Sequence, residues 1–504
     1  MKVFLMHESR SFDVDIEMTQ DRQVLVQDLA LDTLLNAMSG GDDFLLKAAR
    51  AALVSGAVGH LDNIVYRQEV LRDCIAHEIV VRNLYNLTIE VIELEKRGYW
   101  WGFSDDRPSG LLMRSKEELK MLVEMLSRVA NFAGEYGRIF QSKGFASFFS
   151  MLKAELPDER ISRIRRTLDK LTLGNSATIN AELGGGNKGA NYKLLRPRSP
   201  LFQWMSWKFQ RGPKFTLQIS PRDTDKVDAL LELKDRGANH LANVLAQAAD
   251  QIREFFQRLR TELAFYIGCL NLRARLTQMD AHLCLPLALP SADRRHFFTG
   301  LYDVSLALQL GRTVVTNDVT MSGKNIIIVT GAAQGGKSTF LRSIGLAQLM
   351  MQCGMFVAAD SFTAQVCAGL FTHYKREEDV DMKSGKLDEE LRRLNFIVDR
   401  LKANCVVLLN ESFAATNERE GSEIAMHVVS ALVERGIRVF YVTHLFEFVS
   451  RLHRERREHV EILSPERRTD GTRSFRIDQG EPHDTSYGRD LFEKIFDSTA
   501  MTEA

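Results

Sequence analysis

Three stretches in the C-terminal half contain residues whose types and spacing suit the chemistry of a bound phosphate. The first, TGAAQGGKST at 330–339, follows the apolar run 325–330 and precedes a helical pattern that starts at Phe340. Glycines let backbone N–H groups converge on phosphate oxygens, and a helix N-terminus, a lysine and a hydroxyl complete this P-loop pattern. We predict that it binds ATP through Gly331, Ala332, Ala333, Gln334, Gly335, Gly336, Lys337, Ser338 and Thr339.

The second stretch is an apolar run at 405–409 that ends in Asn410-Glu411. In a P-loop fold this strand supplies a ligand for the metal and a carboxylate that prepares the attacking water. We therefore expect Ser338 and Asn410 to face Mg²⁺, and Glu411 to act in catalysis. Because Asn410 has no negative charge, hydrolysis is expected to be slow. The alternative is a site that binds ATP without useful turnover.

The third stretch, YVTHLFEF at 441–448, places His444 after another apolar run. A side chain at the end of a neighbouring strand can sense the γ-phosphate, so we predict a catalytic role for His444. A histidine with a purely structural role is the alternative.

The composition indicates which kinds of protein could position these residues. At 504 residues the chain is expected to contain several domains, and 45% hydrophobic with 26% charged residues is typical of folded chains. The formal net charge is zero, so any nucleic-acid contact must come from a local basic surface. The six cysteines lack the spacing of a zinc site, and neither a signal peptide nor a membrane span is evident, which predicts a cytoplasmic protein.

Apolar periodicity predicts two kinds of architecture along the chain. Helical spacing is present at 24–97, 116–171 and 225–271, and short strands with loops are expected at 176–222. After Pro286 and Pro290, strands and helices alternate as in an α/β sheet. The strands are predicted at 325–330, 355–359, 405–409 and 438–442, and a hairpin at 459–464 and 473–478.

The predicted fold is therefore multidomain: a mainly α-helical core and lever region with a small strand-containing clamp, followed by an α/β P-loop domain like that of ABC ATPases. Its expected domains are a helical core at 1–115, lever helices at 116–285 with a basic insertion around 176–222, and an ATPase domain at 286–504.

Between the long helical stretches, the segment 183–222 has basic and aromatic residues but no acidic one. Such a surface can hold DNA phosphates without reading sequence. A solvated basic loop is the alternative. The candidate DNA-binding residues are Lys188, Lys193, Arg196, Arg198, Lys208, Arg211 and Lys214.

Together these motifs resemble the ATPase module of the MutS family of DNA mismatch-repair proteins, which is akin to ABC-type ATPases. The resemblance rests on the segments 330–359, 384–398, 406–421, 442–448 and 485–492, and LDNIVYRQEVLRD at 61–73 resembles the opening of the family's helical core. The chain departs from the family wording at residues 332–334 and at Asn410. It also starts almost at the helical core, so we expect it to lack the N-terminal mismatch-reading domain.

The resemblance implies an ATP-hydrolysing homodimer that controls DNA binding in mismatch repair or a related repair or recombination process, on mismatched, branched or plain duplex. Ser384 would contact the neighbour's γ-phosphate, although a helix cap is an equal alternative for this residue, and a C-terminal segment would contribute to dimerisation. Two other functions stay open. One is an ATP-gated scaffold with little turnover, and the other is an ABC-like ATPase that acts on a protein partner.

Overall fold

The computed structural model describes residues 1–98, 108–171, 178–183, 189–195, 224–321, 323–331, 334–376, 385–467 and 473–481, of which the side chains of 95–98, 108–109, 178–183, 189–195 and 224–237 are left undescribed. The chain divides into two compact units. The first comprises residues 1–3, 83–139 and 147–260, and the second comprises residues 4–82, 140–146 and 261–504.

Helices dominate the described chain before residue 280. They are α1 (Gln20–Asp28), α2 (Leu31–Ser39), α3 (Asp43–Ser55), α4 (Leu61–Ala76), α5 (Glu78–Gly98), α6 (Pro108–Tyr136), α7 (Lys143–Glu155), α8 (Asp158–Lys170) and α9 (Thr224–Thr277). The prediction of a helical N-terminal half is confirmed. The structure also confirms strands in the predicted insertion, as an antiparallel pair of β1 (Thr178–Leu183) and β2 (Gly189–Leu195).

In the first unit, α6 contributes an apolar face whose residues recur at steps of three and four. Leu119, Leu122, Leu126 and Val129 are all buried, as amphipathic spacing requires. An ion pair also joins α6 to α8, because the Nζ of Lys120 lies 2.8 Å from a carboxylate oxygen of Asp169 on α8.

The second unit contains two sheets. Its strands are β3 (Leu287–Leu289), β4 (His296–Leu301), β5 (Asn317–Thr320), β6 (Ile326–Val329), β7 (Ser361–Gln365), β8 (Leu370–Tyr374), β9 (Val406–Asn410), β10 (Arg438–Val442), β11 (Val460–Arg467) and β12 (Arg473–Gln479). The larger sheet has the order β12-β11-β6-β10-β9-β8, and the smaller has the order β3-β7-β4-β5.

Five neighbouring strands of the larger sheet, β11, β6, β10, β9 and β8, run parallel, and β12 pairs antiparallel to β11. The residues of β6 and β10 are buried throughout, which is typical of parallel strands covered on both faces. The predicted hairpin is confirmed as β11 and β12.

Short helices connect these strands in the second unit. They are α10 (Val304–Leu310), α11 (Lys337–Gln352), α12 (Lys386–Val398), α13 (Glu418–Glu434) and α14 (Phe446–Arg456). Nearly every residue of α11 is buried, and its Phe340 ring lies 6.1 Å from Phe298 of the smaller sheet.

The prediction of a strand at 355–359 is wrong. Within that run, Val357 forms only an isolated bridge with Cys284, and the strand β7 begins at Ser361. The residues at 355–359 are nevertheless buried, with backbone hydrogen bonds to Cys284 and Tyr302, and a continuous apolar run does not distinguish such a segment from a strand. The predicted fold class is confirmed in its two main parts, a helical part followed by an α/β part.

Candidate active site

The loop between β6 and α11 has the backbone shape that a phosphate cradle needs. Gly331 and Gly336 have φ of 115° and 87°, which favour glycine, and Gly336 caps the N-terminus of α11. A Cβ at Gly331 would lie 3.1 Å from Pro465, so the loop is also close-packed there. Gln334 takes φ of 57° without being glycine, and the Arg473 side chain donates to its amide oxygen at 2.7 Å.

Lys337 is buried at the start of α11, and its Nζ donates to the carbonyl oxygen of Gly331 at 3.0 Å. Burial lowers the pKa of Lys337, the nearby Glu411 carboxylate raises it, and the Arg473 guanidinium lowers it. The ammonium therefore lies within the loop beside a carboxylate, in an environment where an added anion would favour its charged form.

The carboxyl ends of β6, β9 and β10 meet at one edge of the sheet. Val442 of β10 pairs with both Val329 of β6 and Asn410 of β9. This register brings the second predicted motif to the first, and the Ser338 hydroxyl donates to the Asn410 side-chain oxygen at 2.9 Å. The two predicted metal-facing residues are thus in direct contact, although they are 72 positions apart.

Glu411 follows β9 with φ of 53°, and its backbone N–H donates to the Val442 carbonyl at 2.8 Å. The turn directs the chain out of the sheet at the P-loop. Glu411 and His444 both line the same cavity as Lys337 and Ser338. The structure therefore brings together the catalytic candidates, Asn410 and the described ATP-binding candidates Gly331, Gln334, Gly335, Gly336, Lys337, Ser338 and Thr339.

This cavity has a volume of about 1040 Å³ and two chemically distinct ends. The P-loop forms the polar end. The other end includes Leu310 and Val315, which are large apolar residues with 50% and 40% exposure, and Phe475, 48% exposed, reaches the cavity beside the P-loop. Exposed apolar groups gathered in one concave site are typical of a ligand pocket with a polar and an apolar half.

The sequence did not predict the residues that shape the apolar end. Asp303 caps α10 by accepting from the Leu306 N–H at 3.0 Å, and Arg342 of α11 donates to the same buried carboxylate at 2.6 Å. This ion pair fastens α10 to the P-loop helix. An aspartate before a short apolar run is a helix-cap signal, but its pairing with Arg342 requires the tertiary fold.

Phe475 of β12 packs over the P-loop, and a Cβ at Gly336 would lie 3.5 Å from its ring. Its φ of 60° is unusual for an aromatic residue. The hairpin pattern predicted the strand, but no local signal indicates that this side chain reaches the glycine-rich loop.

Several predicted site residues lie outside the described part of the chain. They are Ala332, Ala333, Ser384, Lys188, Arg196, Arg198, Lys208, Arg211 and Lys214, and for Lys193 only the backbone in β2 is described. Their roles stay predictions.

Two features of the described residues bear on other kinds of site. They contain no group of three or more His, Cys, Asp or Glu side chains that could hold a metal ion by themselves. None of the described helices combines the length and apolar character needed to span a membrane.

The parallel sheet, the glycine-rich loop and the helix that begins with Lys337-Ser338 define the P-loop class of nucleotide-binding folds. Two family models match most of the chain: "MutS2 N-terminal domain" matches residues 59–279, and "MutS domain V" matches residues 327–496. The chain belongs to the MutS family, as the sequence motifs predicted.

Curated relatives match parts of the chain. "MutS protein homolog 4" of Mus musculus is 27% identical over 199 residues, which cover 38% of this chain and 21% of that protein. "DNA mismatch repair protein MutS" of Thermotoga neapolitana is 30% identical over 161 residues, which cover 32% and 20%. "Endonuclease MutS2" of Thermus thermophilus is 32% identical over 136 residues, which cover 26% and 18%. The chain thus spans about a fifth of the length of these relatives.

Proposed function

We propose that the protein is a MutS-type ATPase that hydrolyses ATP to ADP and phosphate and uses the nucleotide to control DNA binding. The observation that carries this proposal is the convergence of Lys337, Ser338, Glu411 and His444 on one cavity, with Asn410 hydrogen-bonded to Ser338. Each residue type matches one requirement of phosphoryl transfer to water.

The two ends of the cavity suit the two ends of ATP. The phosphates would lie on the N–H groups of the P-loop, where Lys337 would leave the Gly331 carbonyl to contact them. The base would lie against Leu310, Val315 and Phe475, which would lose exposed apolar surface on binding. The Asp303–Arg342 pair holds one wall of that end in place.

The hydroxyl oxygen of Ser338 and the side-chain oxygen of Asn410 fit Mg²⁺, because this ion favours oxygen ligands and keeps several waters. Bound there, Mg²⁺ would neutralise charge on the β- and γ-phosphates. Ser338 would supply a ligand, and the Asn410 amide oxygen would accept from a metal-bound water. Glu411 would orient the attacking water and accept its proton, and His444 would contact the γ-phosphate from the exposed rim.

Turnover is expected to be slow because the Asn410 amide contributes no negative charge to the metal site. The same feature favours a second function, a nucleotide-gated scaffold in which ATP binding changes assembly and hydrolysis is incidental. The protein would act in the cytoplasm in either case.

The proposal includes a homodimer whose basic segments at 183–222 hold DNA, in mismatch repair or a related process. Support comes from the excess of basic residues in that segment and from relatives named for mismatch repair. Ser384 would contact the neighbour's nucleotide, so ATP would favour the joined arrangement by its differential affinity for it.

Two measurements on the purified protein test this function. The first is retention of mismatched, branched and plain duplex DNA at rising salt, with and without ATP, and the second is phosphate release by the parent protein and by Glu411→Gln. We expect salt-dependent retention that changes with ATP, and phosphate release that falls at least about tenfold in the variant.

The outcomes separate the candidate functions. No DNA retention in either nucleotide state would remove the DNA-binding function and favour a protein partner. Release at background with intact ATP binding would favour the scaffold. An unchanged rate in Glu411→Gln would show that the catalytic assignment is wrong.

A further inference from the structure

The turn that carries Glu411 is held in a backbone conformation that requires support. Glu411 and Phe413 have φ of 53° and 65°, and neither is glycine. Such a conformation is unfavourable for a residue with a side chain, so the surrounding structure must fix the turn. On one side it is fixed by the sheet, because the Tyr441 hydroxyl of β10 donates to the Ser412 carbonyl.

On the other side it is fixed by Glu390 of α12. Glu390 is 5% exposed, and its side-chain Oε1 accepts the backbone N–H of Phe413 at 2.7 Å. Burial raises the pKa of this carboxyl, while the Phe413 N–H and then the Arg393 and Lys375 charges lower it. A carboxylate removed from water in this way is costly to leave unpaired. The hydrogen bond to Phe413 therefore ties α12 to the turn strongly.

A second connection joins the same residue to the same turn. The Nε2 of His373 lies 3.1 Å from the Glu390 carbonyl oxygen, and its Nδ1 lies 2.7 Å from the Ser412 hydroxyl. Burial lowers the pKa of His373 to about 4, so the ring is neutral at pH 7. Because a carbonyl only accepts, Nε2 carries the proton, and Nδ1 shares the Ser412 hydroxyl with the His373 carbonyl oxygen, to which that hydroxyl donates at 3.0 Å.

Glu390 thus contacts the turn twice, through its carboxylate to Phe413 and through its carbonyl and His373 to Ser412. The Phe413 ring is fully buried and stacks on His373, so the turn cannot shift without disturbing this network. Its only side chain in the cavity is that of Glu411. The position of α12 is therefore set by the same contacts that set the direction of Glu411.

We infer that Glu390 is a positioning residue for ATP hydrolysis, holding the 411–413 turn so that the Glu411 carboxylate faces the phosphate end of the cavity. This inference rests on the proposed function. Glu390 itself does not line the cavity, so it would act on catalysis only through the turn. Its loss should slow the chemical step and leave ATP binding unchanged.

The test compares steady-state ATP hydrolysis, ATP affinity and thermal unfolding for three substitutions of Glu390. Leucine removes the acceptor at similar size, aspartate withdraws the carboxylate by about 1.5 Å, and glutamine keeps an acceptor oxygen in place. We expect kcat to fall about tenfold or more in Glu390→Leu and Glu390→Asp with KM and ATP affinity within about twofold, and Glu390→Gln to keep the parent kcat.

Arg392→Ala is the matched control, because Arg392 is on the exposed side of the same helix and pairs only with Asp388 among the described residues. It should keep the parent rate. If Glu390→Leu does not fold, Glu390→Asp decides. Parent kcat in the aspartate variant would overturn the inference, and so would equal losses of kcat and thermal stability in all three substitutions. A parent protein that releases no phosphate would instead contradict hydrolysis itself, and this inference with it.

Discussion

Ser338 and Asn410 are joined by a hydrogen bond of 2.9 Å between the hydroxyl and the side-chain amide oxygen. Ser338 is the second residue of the P-loop helix and Asn410 ends β9, so this contact links the two halves of the proposed metal site. The amide brings an oxygen of the right kind but no charge. The consequence for metal affinity can be measured directly.

Asn410→Asp is expected to lower the Mg²⁺ concentration that gives half-maximal hydrolysis by roughly tenfold, since about 1.4 kcal/mol of added attraction suffices. The measurement is phosphate release against Mg²⁺ at fixed ATP. Asn417→Asp is the control, because it makes the same change at a helix N-cap, where aspartate also accepts the Glu420 N–H. An identical Mg²⁺ response in Asn410→Asp would show that residue 410 does not face the metal.

Phe475→Ala is expected to weaken ATP affinity by about fivefold to tenfold, because the base would lose an aromatic contact of about 1 kcal/mol. Phe475→Tyr should bind like the parent, since it keeps the ring at a position whose φ in the parent is 60°. Leu287→Ala removes a similarly exposed apolar side chain away from the cavity and should have no effect. Equilibrium titration with ATP measures all three. Unchanged affinity in Phe475→Ala would remove the base from this end of the cavity.

His296 provides a test of pH dependence in the core. Burial, followed by the Arg438 charge, lowers the pKa of His296 well below its ordinary value. Arg438 donates to Nδ1 at 3.4 Å, and Nε2 has no hydrogen-bond partner in the described structure. Below about pH 6.5 residue 296 is protonated in the unfolded chain, whereas burial keeps it neutral in the folded chain. Its contribution therefore lowers the free energy of unfolding as the pH falls.

His296→Phe should therefore reduce the loss of unfolding free energy between pH 7 and pH 5 by up to about 1.4 kcal/mol per pH unit. The rings of Phe298, Phe362 and Phe440 pack edge to face against the His296 ring. A phenylalanine ring at position 296 should therefore be accommodated in the same place. Urea unfolding at the two pH values gives the slope. A slope equal to that of the parent would mean that His296 does not resist protonation in the fold.

The sequence predicts those site residues that directly follow an apolar strand in the chain. The glycines and Lys337-Ser338 are adjacent to an apolar strand, and Asn410-Glu411 and His444 each follow another, so the sheet alone brings them to one edge. The same logic gave β9, β10 and the hairpin with nearly their observed bounds.

The remainder depends on contacts that sequence spacing does not encode. The smaller sheet contains strands as short as Leu287–Leu289, which is too short to show an alternation of apolar and polar residues. The buried apolar run at 355–359 has the sequence pattern of a strand but forms only an isolated bridge. Phe475 reaches Gly336, and Glu390 reaches Phe413, only because distant elements fold together. These tertiary contacts shape the apolar end of the cavity and support the catalytic turn.

ATP binding on the loop that precedes Lys337 can be tested by measuring ATP affinity in Lys337→Ala. Because the buried ammonium would contact phosphate oxygens, we predict an affinity at least roughly tenfold weaker than that of the parent, with the fold retained by circular dichroism. Lys324→Ala, at a partly exposed lysine whose Nζ donates only to the carbonyls of Arg457 and Glu458 among the described residues, should bind like the parent. An affinity of Lys337→Ala within about twofold of the parent would show that ATP does not bind on this loop.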